Sequence, residues 1–198
     1  MELYEEFAAA FVRGLGDMEP GPPRLHRFKK TEPLERVRKV LGMLRGMASG
    51  NLLDIGSGRG AFLWPLLDAF PQLPVTVIEW SEVRAGQIEA VRRGGVSRLS
   101  VARMDAARPG FRERSFDVVT MLEVLEHLEE PQRALDALVP LSRRFFVLSV
   151  PSRPDDNPEH LHLFSKTQLE AMLLHAGARR VQVETVLNHY VVSARVDR

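Results

Sequence analysis

Three glycines at alternate positions, Gly56, Gly58 and Gly60, follow an apolar run that ends with Asp54 and Ile55. Glycine adopts left-handed backbone conformations without penalty and allows a ligand to approach the main chain. The apolar run predicts a buried strand, and the residues after the glycines predict a helix. A strand, a glycine-rich turn and a helix N-terminus together are typical of a nucleotide-binding unit.

A second group of chemically capable side chains, Glu123, Glu126 and His127, occupies positions i, i+3 and i+4 and so shares one face of a helical turn. Two carboxylates and an imidazole can bind a divalent ion such as Mg²⁺ or Mn²⁺, with His160 or His162 as a further ligand. The other interpretation, which the sequence favours, is that these side chains cap a helix or line a substrate cleft without a metal. His127 and His162 are the leading candidates for acid–base catalysis because imidazole ionises near neutral pH, and Glu126 is a further candidate.

Alternating strands and helices must position both groups. The predicted strands are residues 51–55, 75–79, 98–102, 116–121 and 144–150. The predicted helices between them are residues 59–70, 82–93 and 131–140. Strands separated by helices of this length predict a parallel sheet with helices on both faces, and such sheets bind ligands at the carboxyl ends of the strands.

The N-terminal part of the chain predicts two helices and a connection. Apolar side chains share one helical face in residues 2–13, and Gly14 and Gly16 are expected to end that helix. The proline-rich residues 17–33 predict a surface connection or lid, and residues 34–47 predict a second helix. Residues 1–47 are therefore predicted to form a helical cap or lid.

The C-terminal part departs from the alternating pattern. The capping-box pattern at Ser165–Gln168 predicts a helix that Gly177 ends. Residues 181–186 and 190–196 alternate between apolar and polar and predict a β-hairpin, so one terminal strand must run antiparallel to the rest.

Composition restricts the class of protein. The 198 residues suit one domain, and a hydrophobic fraction of 44% with no membrane-length apolar run predicts a globular protein without a membrane partner. The chain has no cysteine, which excludes disulfides and thiolate ligands and suits a cytoplasmic location. A net charge of +1 gives little support to nucleic-acid binding.

In order along the chain, the motifs resemble those of the class I S-adenosylmethionine-dependent methyltransferases. The matching segments are residues 53–60, 77–80, 103–106, 116–128 and 147–151. The resemblance covers roughly residues 30–198 and implies a single methyltransferase domain over residues 1–198, with the N-terminal helices included. It implies an α/β fold with a doubly wound, mostly parallel seven-stranded sheet of order 3-2-1-4-5-7-6, in which strand seven is antiparallel.

The resemblance also implies S-adenosylmethionine as the cofactor and S-adenosylhomocysteine as the product. Glu79, which ends the second strand, would accept hydrogen bonds from two ribose hydroxyls, and Asp105 would accept one from the adenine amino group. Asp54 would reach the amino group of the methionine moiety. The other positions expected to contact the cofactor are Gly56, Ser57, Gly58, Gly60, Trp80, Ala106, Leu122 and Glu123.

The predicted function is methyl transfer to an oxygen, nitrogen or carbon nucleophile of a small-molecule acceptor. Three alternatives stay open. The Glu-x-x-Glu-His segment with a distant His resembles the ligand set of the metal-dependent small-RNA 2′-O-methyltransferases, which makes RNA an alternative substrate. The second alternative is a non-catalytic partner protein that only binds S-adenosylmethionine. The third alternative is a dinucleotide-dependent oxidoreductase, because the turn also matches the G-x-G-x-x-A fingerprint of that class, although the sequence has no Tyr-x-x-x-Lys pair for hydride chemistry.

Overall fold

Seven strands form one mixed sheet. The computed structural model describes residues 2–16, 24–30 and 34–197. The strands are β1 (Leu52–Ile55), β2 (Val75–Glu79), β3 (Leu99–Arg103), β4 (Phe116–Leu122), β5 (Ser142–Pro151), β6 (Arg180–Val186) and β7 (His189–Arg195). Their order is β3-β2-β1-β4-β5-β7-β6, with β7 antiparallel to both of its neighbours and the other neighbouring pairs parallel. The predicted α/β fold and strand order are confirmed.

The described residues also form six α-helices: α1 (Glu5–Leu15), α2 (Glu35–Met47), α3 (Leu63–Ala69), α4 (Glu82–Arg93), α5 (Pro131–Leu138) and α6 (Lys166–His175). Helix α3 begins later than predicted because the glycine turn continues to Phe62. Helix α5 ends at Leu138 and a 3₁₀ turn follows, because Pro140 has no N–H with which to continue an α-helix. Among the described residues, no helix has the length and hydropathy needed to cross a membrane.

Apolar side chains of the sheet point alternately into two layers, as the period of a strand requires. Leu52 and Val118 pack into the layer that α1 to α4 cover, whereas Leu53 and Val119 pack into the layer that α5 and α6 cover. Both faces of the sheet are therefore buried, and the carboxyl ends of the strands are left as the place where a ligand can reach several elements at once.

Helix α1 packs directly against α4 at two glycines. A β-carbon on Gly14 would lie 1.7 Å from the carbonyl oxygen of Ala90, and one on Gly94 would lie 1.7 Å from that of Ala10. Helix α1 ends at Leu15 with Gly16 as its C-cap, which confirms the prediction for Gly16. The prediction for Gly14 is wrong, because Gly14 lies inside the helix and brings the two backbones together.

The predicted connection between α1 and α2 is described in part, since residues 17–23 and 31–33 lie outside the described residues. Residues 24–30 contain a 3₁₀ turn at Leu25–Phe28. The Phe28 ring is fully buried between Phe11 and Trp64, with ring centroids 5.3 and 4.9 Å away. This part of the connection is therefore fixed to the core.

Candidate functional site

A cavity of about 790 Å³ lies at the carboxyl ends of the parallel strands, the edge at which open α/β sheets bind ligands. A smaller pocket of about 180 Å³ adjoins it, and the two share Gly56, Gly58 and Glu123. Ten of the eleven residues predicted to contact the cofactor line one or both spaces: Asp54, Gly56, Ser57, Gly58, Glu79, Trp80, Asp105, Ala106, Leu122 and Glu123. The eleventh, Gly60, lines neither space.

Gly58 and Gly60 have different roles in the turn after β1, although both have positive φ, at 58° and 85°. A β-carbon on Gly60 would lie 2.1 Å from Trp64 Nε1, so this glycine leaves room for the indole ring. Outside its immediate neighbours, the nearest atom to a β-carbon on Gly58 is 3.8 Å away. The main chain at Gly58 is therefore accessible from the cavity.

Asp54 is buried beside the turn and accepts hydrogen bonds on both carboxylate oxygens. Thr120 Oγ1 donates to Oδ1 at 2.7 Å, and Ser57 Oγ donates to Oδ2. Burial raises the pKa of Asp54 to about 6, the two hydroxyl bonds oppose that rise, and the charge of Glu79 adds to it. A buried carboxylate is costly unless it is paired, so Asp54 suits a cationic group that enters the smaller pocket.

Glu79 is held by two backbone amides at the end of β2. Gly58 N–H donates to Oε2 at 2.9 Å and Ser81 N–H donates to Oε1 at 3.0 Å, and the residue is only 4% exposed. A carboxylate can accept about four hydrogen bonds. Glu79 therefore has capacity left to accept hydrogen bonds from a pair of hydroxyl groups in the cavity.

Trp80, Asp105 and Ala106 line another part of the larger cavity. Asp105 Oδ1 accepts a hydrogen bond from Ala107 N–H at 2.8 Å, which fixes the loop after β3. The Trp80 side chain is 70% exposed although it directly follows a buried strand. A large aromatic ring beside an open cavity can stack on a flat ligand, because its face remains free.

Glu123 follows β4 with a φ of 55°, a left-handed conformation that is uncommon for a residue other than glycine. Its Oε1 accepts a hydrogen bond from Ser149 Oγ at 2.7 Å, and its Oε2 lies 3.1 Å from His189 Nε2. Arg36 Nε lies 3.4 Å from Oε1. Burial lowers the pKa of His189, and the charge of Glu123 opposes this effect. Glu123 thus bonds to α2, β5 and β7 rather than sharing one helical face with Glu126 and His127, as the spacing had predicted.

Glu126, His127 and His160 form a cluster in which one ligand-capable atom of each residue lies within 4.8 Å of the others. Glu126 is fully buried, and neither carboxylate oxygen has a hydrogen-bond partner among the described residues. Burial, reinforced by the charge of Glu123, raises the pKa of Glu126 to about 8. His127 lines the larger cavity, and its Nδ1 lies 2.9 Å from the carbonyl oxygen of Glu159.

The side chain of His162, the third residue predicted to be catalytic, does not belong to this cluster, although the His162 N–H lies 3.3 Å from the carbonyl oxygen of Glu126. Its Nε2 is 2.9 Å from the carbonyl oxygen of Leu128, and its ring centroid is 5.6 Å from that of Phe164. It does not line the cavity. His160 lies beside His127 instead, with the ring centroids 4.8 Å apart.

Three residues at the site were not identified from the sequence: Arg36, His189 and Asp155. Arg36 reaches Glu123 from α2, His189 reaches it from β7, and Asp155 Oδ1 lies 2.8 Å from His160 Nδ1. No local motif marks these positions. The one available signal was the predicted strand order, which places β7 beside β5 and close to the end of β4.

Comparison with known proteins agrees with this architecture. A family model described as a methyltransferase domain matches residues 53–143. Curated relatives include nocamycin O-methyltransferase of Saccharothrix syringae, 41% identical over 42% of this chain and 31% of that protein. Another is an aklanonic acid methyltransferase of Streptomyces sp. (strain C5), 33% identical over 41% of this chain and 38% of that protein. The chain thus spans about a third of the length of these two relatives.

Among solved structures, the magnesium protoporphyrin IX methyltransferase of Synechocystis PCC 6803 with bound SAH shares the fold. The similarity has a TM-score of 0.65 at 18% identity and covers 94% of this chain and 92% of that one. The strand order, the glycine turn and the acidic strand ends around one cavity define a Rossmann-like, nucleotide-binding α/β protein. More specifically, residues 53–143 match the model of a methyltransferase domain, and the fold of the described chain is shared by S-adenosylmethionine-dependent methyltransferases of known structure.

Proposed function

We propose that this protein binds S-adenosylmethionine and transfers its methyl group to an oxygen, nitrogen or carbon nucleophile of a small molecule. The observation that carries the proposal is the convergence of Asp54, Glu79 and Asp105 on two adjoining spaces beside the accessible main chain of Gly58. Three carboxylates at three strand ends match the ammonium, the ribose hydroxyls and the adenine amino group of one ligand.

Each part of the site suits one part of this cofactor. The buried Asp54 carboxylate suits the ammonium group, and the remaining acceptor capacity of Glu79 suits the ribose diol. Asp105 and the exposed ring of Trp80 suit the adenine. Arg36, which lines the smaller pocket, suits the carboxylate of the methionine moiety.

The cofactor, when bound, supplies an electrophilic methyl group on a positively charged sulfur. The protein must align the acceptor, exclude water and manage the proton that the acceptor releases. We assign His127 and Glu126 to the acceptor's side of the cavity. The Nδ1–H of His127 donates to the Glu159 carbonyl in this assignment, so that Nε2 is the nitrogen available to the acceptor.

The relatives support a small-molecule acceptor, since nocamycin, aklanonic acid and magnesium protoporphyrin IX give the three compared proteins their names. The cavity volume of about 790 Å³ also falls within the range of about 300–1,000 Å³ that is usual for small-molecule sites. A net charge of +1 gives no comparable support to RNA.

We extend the proposal to residues 1–47 as a cap on the cofactor side of the site. Arg36 and Val37 of α2 already line the smaller pocket, and α1 is fixed against α4. The cap would therefore exclude water from the methionine end of the cofactor while α1 anchors it to the sheet.

Binding is tested by titrating the full chain with S-adenosylhomocysteine and with NAD in a calorimeter. We expect one S-adenosylhomocysteine per chain and no heat with NAD. Glu79→Ala should abolish binding, whereas Glu82→Ala, a change at an exposed position three residues further on, should not. Binding of NAD instead, or equal affinity in the two variants, would contradict the assignment.

The acceptor is tested by incubating the protein with methyl-deuterated S-adenosylmethionine and a cell extract, followed by mass spectrometry of separate small-molecule and RNA fractions. We expect at least one methylated small molecule to be 3 mass units heavier than its CH₃ form, because it carries one CD₃ group. This labelled product should be missing from the Glu79→Ala sample. Label in the RNA fraction alone would favour the RNA alternative. Binding without label in any fraction would favour a non-catalytic partner.

A further inference from the structure

The carboxyl group of Glu126 is the least explained polar group in the described structure. The residue is 0% exposed, and both carboxylate oxygens lack a hydrogen-bond partner among the described residues. Buried polar groups are almost always paired, so such an exception calls for an unseen partner such as an ion. One ring nitrogen of His127 and one of His160 each lie within 4.8 Å of a carboxylate oxygen of Glu126.

The two histidines are oriented as metal-binding histidines usually are. His160 Nδ1 lies 2.8 Å from the Asp155 carboxylate, and His127 Nδ1 lies 2.9 Å from the Glu159 carbonyl oxygen. A histidine that binds a metal through one ring nitrogen generally donates the other N–H to a carboxylate or a backbone carbonyl. His160 thus uses Nδ1 toward a carboxylate and His127 uses Nδ1 toward a carbonyl oxygen, and Nε2 of neither ring has a hydrogen-bond partner among the described residues.

We propose that Glu126, His127 and His160 bind a divalent first-row transition-metal ion, with Zn²⁺ as the expected occupant. Two imidazole nitrogens and one carboxylate oxygen suit zinc and its neighbours better than Mg²⁺, which prefers an all-oxygen set. Three protein ligands leave a fourth position open, as in zinc sites that act on a substrate.

The cluster needs only small adjustments to close on an ion. Ligand atoms about 2.1 Å from a tetrahedral ion lie about 3.4 Å from one another. The corresponding atoms here lie within 4.8 Å of one another. His127 lies in the 3₁₀ turn at Leu125–His127 and His160 lies in the loop after β5, so both histidines belong to segments outside the sheet.

The open position determines which acceptors the site would take, and this step rests on the proposed function. His127 lines the larger cavity, so an ion on its Nε2 would present the open position to an acceptor there. An acceptor oxygen, from a hydroxyl or carboxyl group, would occupy it, and the ion would promote transfer of a hydroxyl proton to solvent water. That oxygen would then take the methyl group as the carbon–sulfur bond of the cofactor breaks, which leaves S-adenosylhomocysteine. His127 then serves as a ligand rather than as a base, and the acceptor class narrows to oxygen nucleophiles.

The test uses the full chain, stripped with a chelator and titrated with Co²⁺, whose visible absorption reports nitrogen and oxygen ligation. We expect one Co²⁺ per chain, displaced by Zn²⁺ and not by millimolar Mg²⁺. Glu126→Gln and His160→Gln should weaken Co²⁺ binding at least about 100-fold, and Asp155→Asn about 10- to 100-fold. His175→Gln, at an exposed histidine on α6, should bind Co²⁺ like the wild type.

The proposal is overturned if the wild type takes up no stoichiometric Co²⁺, or if Asp155→Asn and His160→Gln bind it as tightly as the wild type. Asp155 lies on an exposed loop, so its substitution leaves the fold intact and the result interpretable. S-adenosylhomocysteine binding is measured on the same samples. A wild-type chain that binds S-adenosylhomocysteine but no Co²⁺ refutes the metal site alone. A wild-type chain that binds one Co²⁺ but no S-adenosylhomocysteine refutes the proposed function alone.

Discussion

Replacing Asp54 by asparagine should make the protein more stable at neutral pH while weakening its affinity for the cofactor. Asparagine has the same shape and can still accept the hydrogen bond from Thr120, but it carries no charge. The two hydroxyl donors only partly compensate for the lost solvation, which is why the pKa of the carboxyl group is raised to about 6. Since pH 7.5 is above this pKa, the wild-type carboxylate is still ionised there. The ionised Asp54 therefore lowers the free energy of unfolding, although the ligand site requires its charge.

The size of this cost follows from the shift in pKa. Burial raises the pKa of Asp54 from 3.8 to about 6, and each pKa unit corresponds to about 1.4 kcal/mol, so the ionised group destabilises the fold by about 3 kcal/mol. Between pH 4 and pH 6 the folded chain keeps a proton that the unfolded chain has lost. Wild-type stability therefore falls as the pH rises through this range. The gain from Asp54→Asn should be about 3 kcal/mol at pH 7.5 and about 1 kcal/mol at pH 4.5.

Urea unfolding followed by circular dichroism at both pH values measures this difference directly, and calorimetric titration with S-adenosylhomocysteine measures the loss of affinity. Asp136→Asn is the matched control, because Asp136 is exposed on α5 and its substitution should change stability by less than about 0.5 kcal/mol. An Asp54→Asn chain that is less stable than the wild type at pH 7.5, or that gains the same stability at both pH values, would contradict a folding cost from the buried charge.

Three further changes test other parts of the site. Gly60→Ala should lower the free energy of unfolding, measured in urea, by about 2–4 kcal/mol, because the new β-carbon would clash with Trp64 and the residue has a positive φ. Gly86→Ala, the control on α4, adds its β-carbon to open space and should slightly raise the free energy of unfolding. Thr120→Val removes a donor from the buried carboxylate beside it, so stability at pH 7.5 should fall by about 2 kcal/mol; an unchanged urea midpoint would count against that bond. Trp80→Ala should leave stability within about 0.5 kcal/mol of the wild type, yet weaken S-adenosylhomocysteine binding about tenfold; unaltered affinity would remove the ring from the adenine site.

The sheet could be predicted from the sequence because its signals are local. Runs of apolar residues mark β1, β2 and β4, and the spacing between them allows only a parallel crossover. The misplaced start of α3 and the continuation of α1 through Gly14 have a different cause. The continuation of α1 depends on the backbone of the neighbouring α4, and the start of α3 depends on how Gly60 of the turn makes room for the indole of Trp64 in the first turn of that helix.

The same distinction applies to the site. Asp54 and Glu79 could be placed together because parallel strands end at one edge of a sheet. The partners of Glu123 could not, because Arg36 and His189 are far from it in sequence and meet it only after α2 and β7 have packed. His160 rather than His162 joins the cluster with Glu126 and His127. This could not be predicted either, because it depends on how the loop after β5 crosses the 3₁₀ turn at Leu125–His127.

The two tryptophans of the chain lie in opposite surroundings, since Trp64 is 4% exposed and Trp80 is 70% exposed. Indole fluorescence shifts to longer wavelength in water, so the red side of the emission band should come from Trp80 and the blue side from Trp64. In a Trp80→Phe chain the remaining emission would follow only the integrity of the core. The difference between the two spectra would then report occupancy of the cavity in solution, without any attached dye.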